Sequence, residues 1–94
     1  MPMIATFYGI VIYMYWGDHP PPHLHAIYGG EEAILSIETG EIIAGALSRR
    51  THRLVREWII LRQAELLDNW RKAENFVPLE RVPGPDDADP DQNS

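Results

Sequence analysis

The sequence predicts an α+β domain, an antiparallel meander of about four strands packed against a C-terminal helix or helix pair. Three observations carry this prediction. β-Branched and aromatic residues fill short runs up to Ala46, glycine-containing pairs separate those runs at hairpin spacing, and from Leu47 the apolar period lengthens from two to three or four.

The elements follow in order. "IATFYGIVIYMYW" is rich in strand-forming side chains, and Gly9 marks a bulge or bend, so the run is one strand or a broken pair. Both alternating faces of residues 10–16 are apolar, which suits a central position. Tyr13, Tyr15 and Trp16 have the stacking surfaces a base-binding platform needs, but strand aromatics beside a helix are core residues in the ordinary case. "LHAIY", "EEAILSIE" and "EIIAG" are the following strands, joined at Gly29-Gly30 and Thr39-Gly40. Leu54, Val55, Trp58, Leu61, Leu66 and Trp70 then recur at helical spacing as far as about Asn75, with Ser48 as the N-cap. Ile59, Ile60 and Leu61 together are wider than one apolar stripe, which allows a break near Arg62 to Ala64.

Composition bounds the function. With 94 residues, 45% of them apolar, the chain has room for one core. There is no cysteine, no basic leader before Trp16 and no apolar run approaching the roughly 18 residues of a membrane span, so a cytoplasmic protein without a membrane partner is expected. Net charge is −6, but Asp86, Asp87, Asp89 and Asp91 all fall within "PGPDDADPDQNS". Residues 1–78 are therefore read as the domain and residues 79–94 as an acidic, proline-rich, disordered tail.

One segment stands apart. "DHPPPHLHA", residues 18–26, gathers an aspartate, three prolines and three of the four histidines between the first long strand region and the next strand. Histidines two apart on a strand project to one side, so His23 and His25 share a face with Ile27 while Leu24 and Ala26 face away. An extended polyproline II run at about 3.1 Å per residue would hold His19 roughly 12 Å from His23. A turn through Pro20 to Pro22, with or without a cis bond, would instead bring Asp18 or His19 back to the pair.

The cluster supports three readings. Asp18, His23 and His25 supply nitrogen and oxygen ligands for a divalent metal such as zinc, the cofactor expected on this reading. His19, His23 and His25 are equally candidate catalytic acids and bases that move protons without a metal, as in ribonucleases. The third reading needs no chemistry: the prolines stiffen the loop and the imidazoles hydrogen-bond its backbone. Arg49, Arg50, Arg53 and Arg56 crowd the start of the helix against its dipole, with only Glu57 beside them. They are candidates to bind a phosphate or a partner's carboxylates, or a solvated face draped over aromatics. His52, among them, is read as a surface residue.

The order of Met1-Pro2, Ile4, Phe7, Gly9-Ile10, Ile12, Met14-Tyr15, Asp18-His19, Pro21-Pro22-His23, His25 and Tyr28, continuing through Gly45, Leu47, Arg49, Val55, Trp58, Glu65-Leu66 and Asn69-Trp70, resembles the bacterial family catalogued as domain of unknown function 4160. The likeness spans about residues 1–75. Leu24 stands where that family usually has phenylalanine, Ser48 where it often has proline, and Arg62 where histidine is common. The resemblance implies a member of a compact two-gene unit, similar in organisation to toxin–antitoxin pairs. A protein partner encoded by the neighbouring gene is then expected, nucleic acid is a candidate substrate, and His23 and His25 with Arg49, Arg50 and Arg53 would form a phosphate-directed, ribonuclease-like site. A non-enzymatic interaction domain built on a rigid Pro-His loop, and a metal-dependent hydrolase, are the alternatives.

Overall fold

Alternation of apolar and polar residues, cut by turn residues, yields five strands, one more than the expected four. The computed structural model describes residues 2–86. It contains β1 (Met3–Phe7), β2 (Ile10–Tyr13), β3 (His23–Tyr28), β4 (Glu31–Ser36) and β5 (Ile42–Gly45), then α1 (Arg49–Leu61) and α2 (Gln63–Glu74). The strands form one antiparallel sheet in sequence order. The extra strand comes from the first apolar run, which breaks at Tyr8 and Gly9. Both have positive φ, 53° and 80°, and the two-residue reversal sets Phe7 opposite Ile10. Gly29 and Gly30, at φ 57° and 84°, close the β3–β4 hairpin in the same way and set Tyr28 opposite Glu31.

The helices form where the period predicts. Ser48 caps α1, its hydroxyl oxygen accepting from the Thr51 N–H at 3.2 Å, and the helical run breaks at Arg62. Thr51, Val55, Trp58 and Ile59 of α1 are buried, as are Leu66, Asn69, Trp70 and Ala73 of α2. They close a core with Phe7, Ile12, Leu24 and Leu35 on one face of the sheet. Along β3, Leu24 and Ala26 are fully buried in that core while His23, His25 and Ile27 alternate with them on the other side.

Packing continues beyond residue 78, where composition alone places the tail. The Asn69 side chain holds Glu80 by both backbone groups, donating to its carbonyl oxygen at 2.8 Å and accepting from its N–H at 2.9 Å. The Val82 N–H donates to the Ile4 carbonyl at 2.8 Å, and Trp58 Nε1 donates to the Pro83 carbonyl at 2.8 Å. Gly84 lies so close to Phe7 that a Cβ there would meet the Phe7 Cβ at 2.6 Å. This strap covers the outer edge of β1. Its prolines and acids imitate a tail in composition, but Leu79 and Val82 supply apolar contacts and Asn69 satisfies the backbone. The rest of the expected tail, residues 87–94, lies outside the described residues. No helix among the described residues is long and apolar enough to cross a membrane.

Candidate functional site

The proline loop is folded back on itself. The Pro20–Pro21 bond is cis, and Asp18, not His19, returns to the histidine pair. His19 is exposed and contributes its backbone N–H, which donates to Asp18 Oδ1 at 3.1 Å. Its imidazole takes no part in the cluster, so a catalytic triplet of His19, His23 and His25 is not assembled.

His23 and His25 do converge, with ring centroids 5.6 Å apart. Neighbouring elements hold both rings. Trp70 of α2 packs on His23 at 5.1 Å, and Tyr15 meets His25 edge-on at 4.5 Å. The two side chains are only 12% and 13% exposed. Tyr15 therefore supports the site, and Trp16 is 43% exposed, so neither is a core aromatic.

The hydrogen-bond partners fix the chemistry of the nitrogens. His23 Nδ1 lies 2.8 Å from the Pro21 carbonyl oxygen, which only accepts, so Nδ1 carries a proton. The other nitrogen, Nε2, lies 2.8 Å from Asp18 Oδ2. A carboxylate also only accepts, so either Nε2 is protonated too and His23 is an imidazolium, or a cation sits between two electron-pair donors. His25 is placed differently. Its Nε2 is 3.6 Å from the same Asp18 Oδ2 and its Nδ1 is 3.6 Å from Glu32 Oε2, beyond hydrogen-bond reach on both sides. Both nitrogens are buried and unpartnered, which is costly unless something else fills the gap. Burial by itself pushes the Asp18 carboxyl up. The hydrogen bonds from His23 and from the His19 N–H, with the charge on His23, outweigh it and leave Asp18 below its ordinary value of 3.8.

A ligand atom from each of Asp18, His23 and His25 lies within 4.8 Å of the other two. Nitrogen and oxygen ligands about 2.0–2.1 Å from a tetrahedral ion sit roughly 3.4 Å apart. The 2.8 and 3.6 Å separations bracket that value. In each ring the nitrogen turned away from Asp18 faces an acceptor, Pro21 O for His23 and Glu32 for His25. A hydrogen bond such as that to Pro21 fixes the tautomer of a metal-bound histidine, whereas Glu32 at 3.6 Å makes none to His25.

The arginines lie elsewhere. α1 packs on the face that carries Leu24 and Ala26, opposite the histidines. Arg56 pairs with Glu41 at 3.5 Å, and Arg49, Arg50 and Arg53 are exposed. Among the described residues, no hydrogen bond or ion pair links any of the four to Asp18, His23 or His25. His52 is tied to the turn before β5, its Nε2 lying 3.1 Å from the Gly40 carbonyl oxygen.

Glu32 is the site residue that sequence reasoning missed. The signal was present: a two-residue turn at Gly29-Gly30 places Ile27 opposite Glu32, hence Glu32 on the face of His25.

The family model described as a domain of unknown function (DUF4160) matches residues 9–71, from the β1–β2 turn into α2. The chain belongs to this family. The matched stretch of this DUF4160 domain holds Asp18, His23, His25, Glu32 and Trp70, while the strap that closes β1 lies outside it. No curated protein and no solved structure matches the chain.

Proposed function

We propose that Asp18, His23 and His25 hold one divalent ion of the zinc class, and that the domain uses it for hydrolytic chemistry. One observation carries the reading. His23 Nε2 and Asp18 Oδ2 lie 2.8 Å apart, and the unpartnered Nε2 of His25 lies 3.6 Å from the same oxygen, so three ligand atoms converge on one point. Three protein ligands leave a fourth position for water, the arrangement of catalytic rather than structural zinc sites. Bound there, the ion supplies a water acidified into the neutral range. The chain's own part is to fix the ligands: Pro21 sets the His23 ring, and Tyr15 and Trp70 restrict the rotation of His25 and His23.

The test is metal removal and return. Protein stripped with chelator takes up one zinc per chain in calorimetry, and Asp18→Ala, His23→Ala and His25→Ala each abolish uptake while the fold persists by circular dichroism. A panel of ester, amide and phosphodiester substrates, assayed with and without the ion, then tests hydrolysis. No zinc uptake by the wild type, which would leave a simple His23–Asp18 ion pair, or unchanged tight uptake in all three variants, which would place the ion elsewhere, would sink the reading.

A protein partner, as in a toxin–antitoxin-like pair, is a second reading favoured by the edges of the sheet. The strap covers β1, whereas β5 ends the sheet with Ile43 51% exposed and neither lysine nor proline along Ile42–Gly45. Co-expression with the neighbouring gene product, followed by size-exclusion chromatography, tests it. A phosphate-directed, ribonuclease-like site has less support, because it needs the arginines and histidines on one side of the sheet.

A further inference from the structure

The charge around the centre points to its ligand class. All eight lysines and arginines of the chain lie at or after Arg49, so neither the sheet nor the proline loop contributes a cation. Arg62 pairs with Glu65, and Lys72 with Asp68 and Glu80, which leaves those two cations engaged on the helices and strap. Glu32 lies on the opposite flank of His25 from Asp18, its Oε2 3.6 Å from Nδ1. It also lines a cavity of about 270 Å³ with Ala33, Ile34, Ala44 and Gly45. Ile34 is the cross-strand partner of His25, so part of the cavity's lining shares the face of the cluster, while Asp18, His23 and His25 do not themselves line it. Its other side chains are aliphatic and offer no donor to an anion.

We propose that Glu32 is a specificity-determining residue that makes the centre accept neutral donor ligands and turn away phosphate and other oxyanions. The inference rests on the metal reading above. A divalent ion with the Asp18 carboxylate keeps one positive charge, and Glu32 cancels it without touching the ion. Phosphodiesters, which zinc sites bind with help from flanking cations, meet no lysine or arginine from the sheet or the proline loop here. A neutral carbonyl or nitrogen donor with a small apolar group meets an open coordination position beside an aliphatic cavity.

The experiment uses the full chain loaded with cobalt(II), whose visible spectrum reports its ligands. Imidazole at alkaline pH, where it is neutral, and inorganic phosphate are titrated separately into wild type and Glu32→Gln. Imidazole changes the wild-type spectrum at concentrations where phosphate does not. Glu32→Gln raises phosphate affinity severalfold, the order expected for removal of a half-exposed unit charge, and leaves imidazole affinity within about twofold. A role for Glu32 confined to folding or ring orientation would move both ligands together. Equal binding of phosphate and imidazole by wild type, or no gain for phosphate in the variant, overturns the proposal while the metal reading stands. Failure to bind cobalt at all removes both.

Discussion

The two sides of β3 contrast an apolar core with a cluster of polar side chains. Leu24 and Ala26 face the helices and are fully buried in the core. His23 and His25, alternating with them, face away and meet Asp18, Tyr15 and Glu32. The first side is close-packed and apolar, so its energy comes from area removed from water. The second is almost as closed, yet it holds polar atoms without partners, an arrangement that costs stability unless a ligand repays it. One strand thus carries both surfaces, and adjacent substitutions should report on different properties.

Changes on the packed side give the largest effect. Leu24→Ala is expected to cost about 2–5 kcal/mol, most of a small domain's stability, read as a lower midpoint in urea. Its immediate neighbour should behave in the opposite manner: His25→Ala lowers zinc affinity more than about 100-fold in calorimetry and leaves the urea midpoint within about 1 kcal/mol. Equal loss of stability in the two variants would break the distinction between the faces. Asn69→Ala lies between them in size, at about 1–3 kcal/mol, because both backbone groups of Glu80 lose their partner. It should not alter metal uptake.

Acid sharpens the contrast on the polar side. The Asp18 carboxyl is depressed in the folded protein, so its stabilising contribution is complete above about 3.8 and is lost as pH falls through the lower folded value. A wild-type acid-unfolding curve that declines in this window, and an Asp18→Asn curve without that component, would show it. The smallest effect belongs to Arg53→Ala, within about 0.5 kcal/mol and without change in zinc affinity, since Arg53 is exposed on α1 and has no partner among the described residues.

The sequence revealed the alternating side chains of β3, the hairpin at Gly29-Gly30, the Ser48 cap and the helix break at Arg62, because each depends on local chemistry or on a short period. The break at Tyr8-Gly9 was half legible: Gly9 marked a bend, but the reversal also uses Tyr8 at positive φ, a position a tyrosine does not advertise. The site was legible as residue types and only partly as geometry. Whether Asp18 or His19 returned to the pair depended on the path of three prolines, which composition leaves open. The arginines looked like companions of the histidines because both residue types suit a phosphate. The sheet between them is a tertiary fact. The strap was hidden for a similar reason, since its fixed points, Asn69 and Trp58, lie on helices well before it in the chain.

That strap has a consequence for the chain as a polymer. With Val82 bonded to Ile4 and Asp86 accepting from the Tyr8 N–H, the first and last described stretches lie side by side. The two segments run in the same direction, from Ile4 and Val82 to Tyr8 and Asp86, so a cut within the strap would bare the outer edge of β1 to pairing with another strand.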